Sequence, residues 1–154
     1  MGDIAVDPSG THLYLGVKNI ATSGGAILGF LIGPTGALTE LPGSPLIVED
    51  RPVSLAMHPS GKFVFAAAPD VSILDRNSTT GTLTVRGVFS TPKRQVALNP
   101  AGTILAARER DTNEMSQFQL DKAGNIIGEN RQPLVNPITF ADPLVTVVRP
   151  HYLQ

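Results

Sequence analysis

The chain of 154 residues contains no cysteine. That absence excludes disulfides, thiolate metal sites and a cysteine nucleophile together, and it leaves the compartment open. Charge is sparse as well: Asp, Glu, Lys and Arg make up 16% of the residues, below the roughly 25% usual in soluble domains. The net charge is −1 and the Lys and Arg residues are scattered, so there is no basic field to attract nucleic acid or anionic lipid. The longest apolar run, "AILGFLIG" from Ala26, is far shorter than the roughly 18 residues of a membrane helix. A secretory leader pattern is missing, and so are a metal-ligand spacing, a nucleophile elbow, a P-loop and a dinucleotide fingerprint. The chain reads as soluble, without cofactor or metal, its localisation unknown and the cytoplasm slightly favoured.

Repetition is what the sequence does have. "IAVDPSGTHLYLG" from Ile4 returns as "LAMHPSGKFVFAA" from Leu55 and as "VALNPAGTILAAR" from Val96. The turn prolines Pro8, Pro59 and Pro100 are 51 and 41 residues apart, and a degraded copy, "TFADPLV", places Pro143 another 43 on. A second motif interleaves: "PTGALT", "TTGTLT" and "KAGNII", whose glycines Gly36, Gly81 and Gly124 are 45 and 43 apart. Two turn motifs sharing one period point to a tandem repeat.

Each motif has a mechanical reading. An Asx-like residue leads, Pro fixes φ at the next position, and Gly takes a left-handed conformation, the chemistry of a tight turn closing a hairpin. The flanking segments, such as "HLYLGV" and "KFVFAAA", are apolar with β-branched and aromatic residues, as half-buried strands are. No stretch sustains a helical stripe, and Pro or Gly interrupts at short intervals. A period of two hairpins, or four antiparallel strands, is one β-propeller blade. The expected fold is therefore all-β, a β-propeller of about three to three and a half blades in an incomplete ring. Its repeats span 4–52, 53–95 and 96–137, and 138–154 begins a further, degraded blade. A sandwich and a parallel β-helix are the competing folds, and neither requires two turn motifs locked to one period. Ala66, Ala67, Ala68, Ala106 and Ala107 suit crowded second strands. "LPGSPL" from Leu41 reads as a connector whose prolines end pairing, "RNSTTG" as a hairpin loop, and His58 as a turn residue in the place of Asp7 and Asn99.

"FLIGPTGALTELPGSPL", residues 30–46, resembles the F-x-I-x-x-x-T-G-x-L-T-x-x-x-G-S-P-F segment of lactonase-like seven-bladed propellers. These are the 6-phosphogluconolactonase and carboxymuconate-lactonising types and the related YVTN-type propellers. "DPSG…LY" resembles the other hallmark of the same family, and the likeness runs from residue 4 to about 135. It implies about seven blades, where this chain holds three and part of a fourth. Three blades do not close a ring, and open sheet edges are an aggregation hazard. The expectation is a fragment of a larger propeller, with missing blades or a second copy completing the ring.

The resemblance also implies a site. The family's P-R-H-x-x-F-H-P-x-G segment and following N-E-L correspond here to "PKRQVALNPAGTILAARERD". Arg94 falls on the motif's arginine, and Glu109 falls one position before its glutamate. Gln95 and Asn99 replace the two histidines. The implied roles are Glu109 as base on water, and Arg94 as holder of the substrate's acidic group or developing oxyanion. Arg108 and Arg110, in the dense charge cluster "RERD", are the implied ligand-binding residues. The alternative for all four is solvated charge at strand ends. Two functions stay open: a lactone hydrolase acting on a sugar-acid lactone, and a non-catalytic propeller that binds a protein or glycan partner.

Overall fold

The structure, a computed structural model, describes residues 2–18, 24–49, 51–90, 93–109 and 114–133, with the side chains of Lys18 and Arg94 outside that set. The degraded fourth repeat at 138–154 lies outside the described residues. These are arranged as three antiparallel sheets with no helix among them. The first holds β1 (Ile4–Val6), β2 (His12–Lys18), β3 (Gly25–Ile32), β4 (Leu38–Glu40) and β5 (Leu46–Val48). The second runs in order through β6 (Ser54–Met57), β7 (Phe63–Ala67), β8 (Val71–Arg76) and β9 (Leu83–Phe89). The third repeats that order with β10 (Lys93–Leu98), β11 (Ile104–Glu109), β12 (Glu114–Leu120) and β13 (Ile126–Pro133).

The repeated turns work through their first residue. Asp7 Oδ1 accepts the N–H groups of Thr11 and His12, each at 2.8 Å. Asn99 Oδ1 accepts those of Thr103 and Ile104 at 2.8 and 2.9 Å. In the same slot His58 Nδ1 accepts the Ser60 N–H at 3.1 Å. Three chemically different residues thus do one job, satisfying turn N–H groups that would otherwise lie unpaired.

The sheets stack through their first strands. Leu55 N–H donates to Asp3 Oδ2 at 2.8 Å, and Ser54 Oγ lies 3.4 Å from Val96 O and 3.3 Å from Val96 N. Between the first two sheets Tyr14, Ile27 and Leu41 pack on Leu55, Val64 and Leu74. Between the second and third, Phe63, Phe65 and Val71 pack on Leu105, Phe118 and Leu120. Each such fully buried side chain stabilises the stack by about 1.5–3 kcal/mol.

A second contact type joins neighbours. The turn glycine of each following sheet receives a ring from the sheet before it. Gly81 (φ 73°) lies under the His12 imidazole, and Gly124 (φ 77°) lies under the Phe63 ring, where an added Cβ would come within 2.7 Å. These glycines serve twice, once for the left-handed turn and once for close approach.

"LPGSPL" does not end pairing. β4 pairs with residues 30–32 of β3 and β5 pairs with residues 25–27. The gap at Gly29 is bridged by Leu41 N–H donating to Gly29 O at 2.9 Å and by Gly29 N–H donating to Ser44 Oγ at 3.1 Å. The segment is a detour within one outer strand. Its hydroxyl and backbone amide take over the ladder's hydrogen bonds, which the prolines could not supply.

Candidate functional site

β10 and β11 carry the residues that the family resemblance singles out. Antiparallel pairing sets Lys93, the first residue of β10, opposite Glu109, the last of β11. A bulge between Lys93 and Gln95 turns the lysine to the face that packs on the second sheet. There Lys93 is 1% exposed. Its Nζ donates to Glu109 Oε1 at 2.5 Å and to Ser116 Oγ at 2.7 Å, and it lies 5.7 Å from the Phe118 ring centroid. The Ser116 hydroxyl passes the chain on, donating to Glu129 Oε1 at 3.1 Å. Arg131 Nε closes it from the solvent side at 2.8 Å from Glu129. Glu109 is therefore a buried member of a charge network rather than a solvated residue at a strand end.

Arg108 is exposed and adjacent to Glu109 on β11, so strand alternation puts the two on opposite faces. The Arg94 side chain and the whole of Arg110 lie outside the described residues. Asn99, which replaces a family histidine, holds its own turn at the far end of β10. About six strand residues, or some 20 Å, separate it from Glu109. Among the described residues, then, Glu109 meets Lys93 rather than Arg108 or Asn99.

A second buried cluster joins the first two sheets. Arg76, at the end of β8, donates from Nε to Tyr14 Oη at 2.7 Å and from Nη1 to Gly61 O at 2.9 Å. Its Nη2 reaches both Asp7 Oδ2 and His12 Nδ1 at 2.9 Å. A guanidinium has no acceptor, so His12 Nδ1 is the acceptor and the ring is neutral there. Burial, reinforced by the Arg76 charge and only partly opposed by Asp7, pushes the His12 pKa down. Burial alone would raise Asp7, but hydrogen bonds from Ser9, His12 N–H and Thr11 N–H, with the Arg76 charge, hold its carboxyl below the usual range. Burial raises the Tyr14 phenol, whose O–H donates to Gly81 O at 2.6 Å. The sequence signal for this cluster is an arginine at a repeat position where the other sheets have Ile32 and Leu120. Enclosed between sheets, it ties them together. No group of three or more His, Asp or Glu able to hold a metal occurs among the described residues.

Solved structures share this architecture. A candidate 6-phosphogluconolactonase from Bacteroides fragilis matches with a TM-score of 0.69 at 22% identity, over 82% of this chain and 36% of its own. The periplasmic gluconolactonase PpgL of Pseudomonas aeruginosa matches with a TM-score of 0.68 at 15% identity, over 84% and 39%. The fold is a β-propeller. Its three described sheets are consecutive blades, and they leave the ring open. Chaetomium thermophilum Sqt1, solved with the N-terminus of ribosomal protein L10, matches with a TM-score of 0.58 at 21% identity, over 82% and 33%. This chain spans between a third and two fifths of the length of these neighbours. No family model and no curated protein sequence matches it.

Proposed function

We propose that the chain is part of a lactonase-type β-propeller that hydrolyses a sugar-acid lactone, with the rest of the ring supplied by further blades or by a second copy. The observation that supports this reading most directly is the position of Glu109. It ends β11, one position before the place of the family motif's glutamate, and pairs with Lys93 beside the backbone of Arg94. Glu109 is the base that draws a proton from water, and Arg94 holds the oxyanion that forms as the water oxygen adds to the lactone carbonyl. The ring C–O bond then breaks, and the alkoxide takes up a proton to leave the open hydroxy acid. In this reading Arg110, which follows Glu109 in the chain, holds the substrate's acidic group, while Arg108, on the opposite face of β11 from Glu109, takes no part.

A specific observation favours the second reading, a propeller that binds a protein or glycan without turnover. Glu109 is 6% exposed and bound by Lys93, so water reaches it only if that pair opens. Hydrolysis of glucono-δ-lactone and its 6-phosphate, followed by acid release, separates the two. Under the first reading Glu109→Gln and Arg94→Ala each lower the rate by about 100-fold or more. Absent turnover favours the binding reading, and turnover unchanged in both variants removes Glu109 and Arg94 from the reaction.

A further inference from the structure

The second and third sheets follow one plan: their inner strand pairs share one register beyond the Lys93 bulge, and their outer pairs differ in where the bulge falls. Ala66 and Ala107 pair with Leu55 and Val96, 41 residues apart in each case. Ser72 lies opposite Ala66 as Ser116 lies opposite Ala107. On the outer strands Val88 faces Ser72 and Val85 faces Leu74, as Arg131 faces Ser116 and Glu129 faces Phe118. The same spacing of 41 takes Pro52 to Lys93 and Ala68 to Glu109. The whole charge network of the third sheet thus has a counterpart set in the second: Pro52, Ala68, Ser72, Val85 and Val88.

In the third sheet those side chains fill the space against their neighbour, the lysine stem above all. In the second, the shorter and apolar counterparts leave a groove of about 420 Å³ against β5 and the chain that follows it. Volumes of about 300–1,000 Å³ are those of small-molecule sites. The groove keeps one polar group of the network, the Ser72 hydroxyl, which makes no hydrogen bond among the described residues. It adds two carboxylates, Glu49 from the first sheet and Asp70 from the β7–β8 loop. Neither carboxylate has a hydrogen bond or ion pair among the described residues, so the groove lining carries two acidic groups and no basic one, with Arg51 the neighbouring cation in the chain. What it lacks is the piece that Lys93 supplies one sheet on: an ammonium on an aliphatic stem.

We propose that this groove binds a primary alkylammonium ion. The alkyl chain lies along Val85, Val88 and the exposed Ile47, and the ammonium donates to Ser72 Oγ and to the carboxylates of Asp70 and Glu49. Two carboxylates beside apolar walls repel an organic anion and leave a neutral alcohol without the charge pairing. The site is independent of lactone hydrolysis, because none of its residues belongs to the Glu109 cluster.

Calorimetric titration of the full chain with hexylammonium, hexan-1-ol and hexanoate tests it. The expected result is saturable hexylammonium binding at least ten-fold tighter than hexan-1-ol, with no binding of hexanoate. Asp70→Asn combined with Glu49→Gln lowers the hexylammonium affinity at least ten-fold and leaves the hexan-1-ol affinity unchanged. Rebuilding the third sheet's pair with Pro52→Lys and Ala68→Glu fills the groove and abolishes binding. Equal binding of alcohol and ammonium, preference for hexanoate, or binding indifferent to the Asp70 and Glu49 changes overturns the proposal. So does a groove covered by self-association that hexylammonium does not compete away, which sedimentation at several protein concentrations reveals.

Discussion

Replacing Arg76 by Met keeps the aliphatic bulk at the junction of the first two sheets and removes the charge with all four of its hydrogen bonds. The Asp7 side chain, 3% exposed, then loses its counter-ion, and Gly61 O and Tyr14 Oη lose donors. Breaking a buried pair from one side costs about 3–5 kcal/mol, because the remaining charge is left without compensation. Proteins of this size lose about 2–4 °C of melting temperature per kcal/mol, so Arg76→Met lowers the midpoint by roughly 6–20 °C. Asp7→Asn in the same chain removes the orphaned charge while keeping a turn acceptor. The double variant is therefore more stable than the two single losses sum to, by about 1 kcal/mol or more. Urea unfolding followed by circular dichroism measures all three. A loss under about 1 kcal/mol for Arg76→Met, or strict additivity, would show that the cluster does not couple the sheets.

The same cluster makes stability depend on pH with a definite sign. His12 has a folded pKa below its ordinary 6.5, so the unfolded chain binds more protons just below that value and stability falls as pH drops beneath it. Asp7, lowered from 3.8, adds a second loss in stronger acid as its carboxyl is protonated. His12→Phe, which installs the ring found at Phe63 of the next sheet, removes the upper step from a plot of urea midpoint against pH. A step that persists in this variant assigns the dependence to other groups. For the turn glycines, Gly36→Ala meets nothing within 4 Å and costs only the left-handed backbone, about 1–2 kcal/mol. Gly124→Ala meets the Phe63 ring as well and costs about 1–3 kcal/mol more. Thermal unfolding in which Gly36→Ala is the more damaging of the two would sink the view that these glycines seat rings.

The repeat made the strands legible because turn chemistry is local. An acceptor at Asp7, His58 or Asn99 followed by Pro and a glycine dictates a hairpin wherever it stands. The outer strand of the first sheet was hidden for the opposite reason. Pro42 and Pro45 carry the local signal for a break in pairing, while Leu41 and Ser44 restore it through contacts with Gly29, which is distant in sequence. The polar clusters divide along the same line. Lys93, Glu109, Ser116, Glu129 and Arg131 come from four strands, and only the pairing register puts them together. Family likeness drew attention to Glu109 but not to Lys93, because the lysine reaches the network through a bulge. Arg76 was legible in principle, as a charge at a repeat position that is otherwise apolar. A repeat sequence of this kind should thus be read across its copies as well as along the chain. Where one sheet carries a lysine and a glutamate and the next carries a proline and an alanine, the two cannot fill the same space. The difference is either a fault in packing or room for something else, and two unpaired carboxylates at the edge of that room argue for the second.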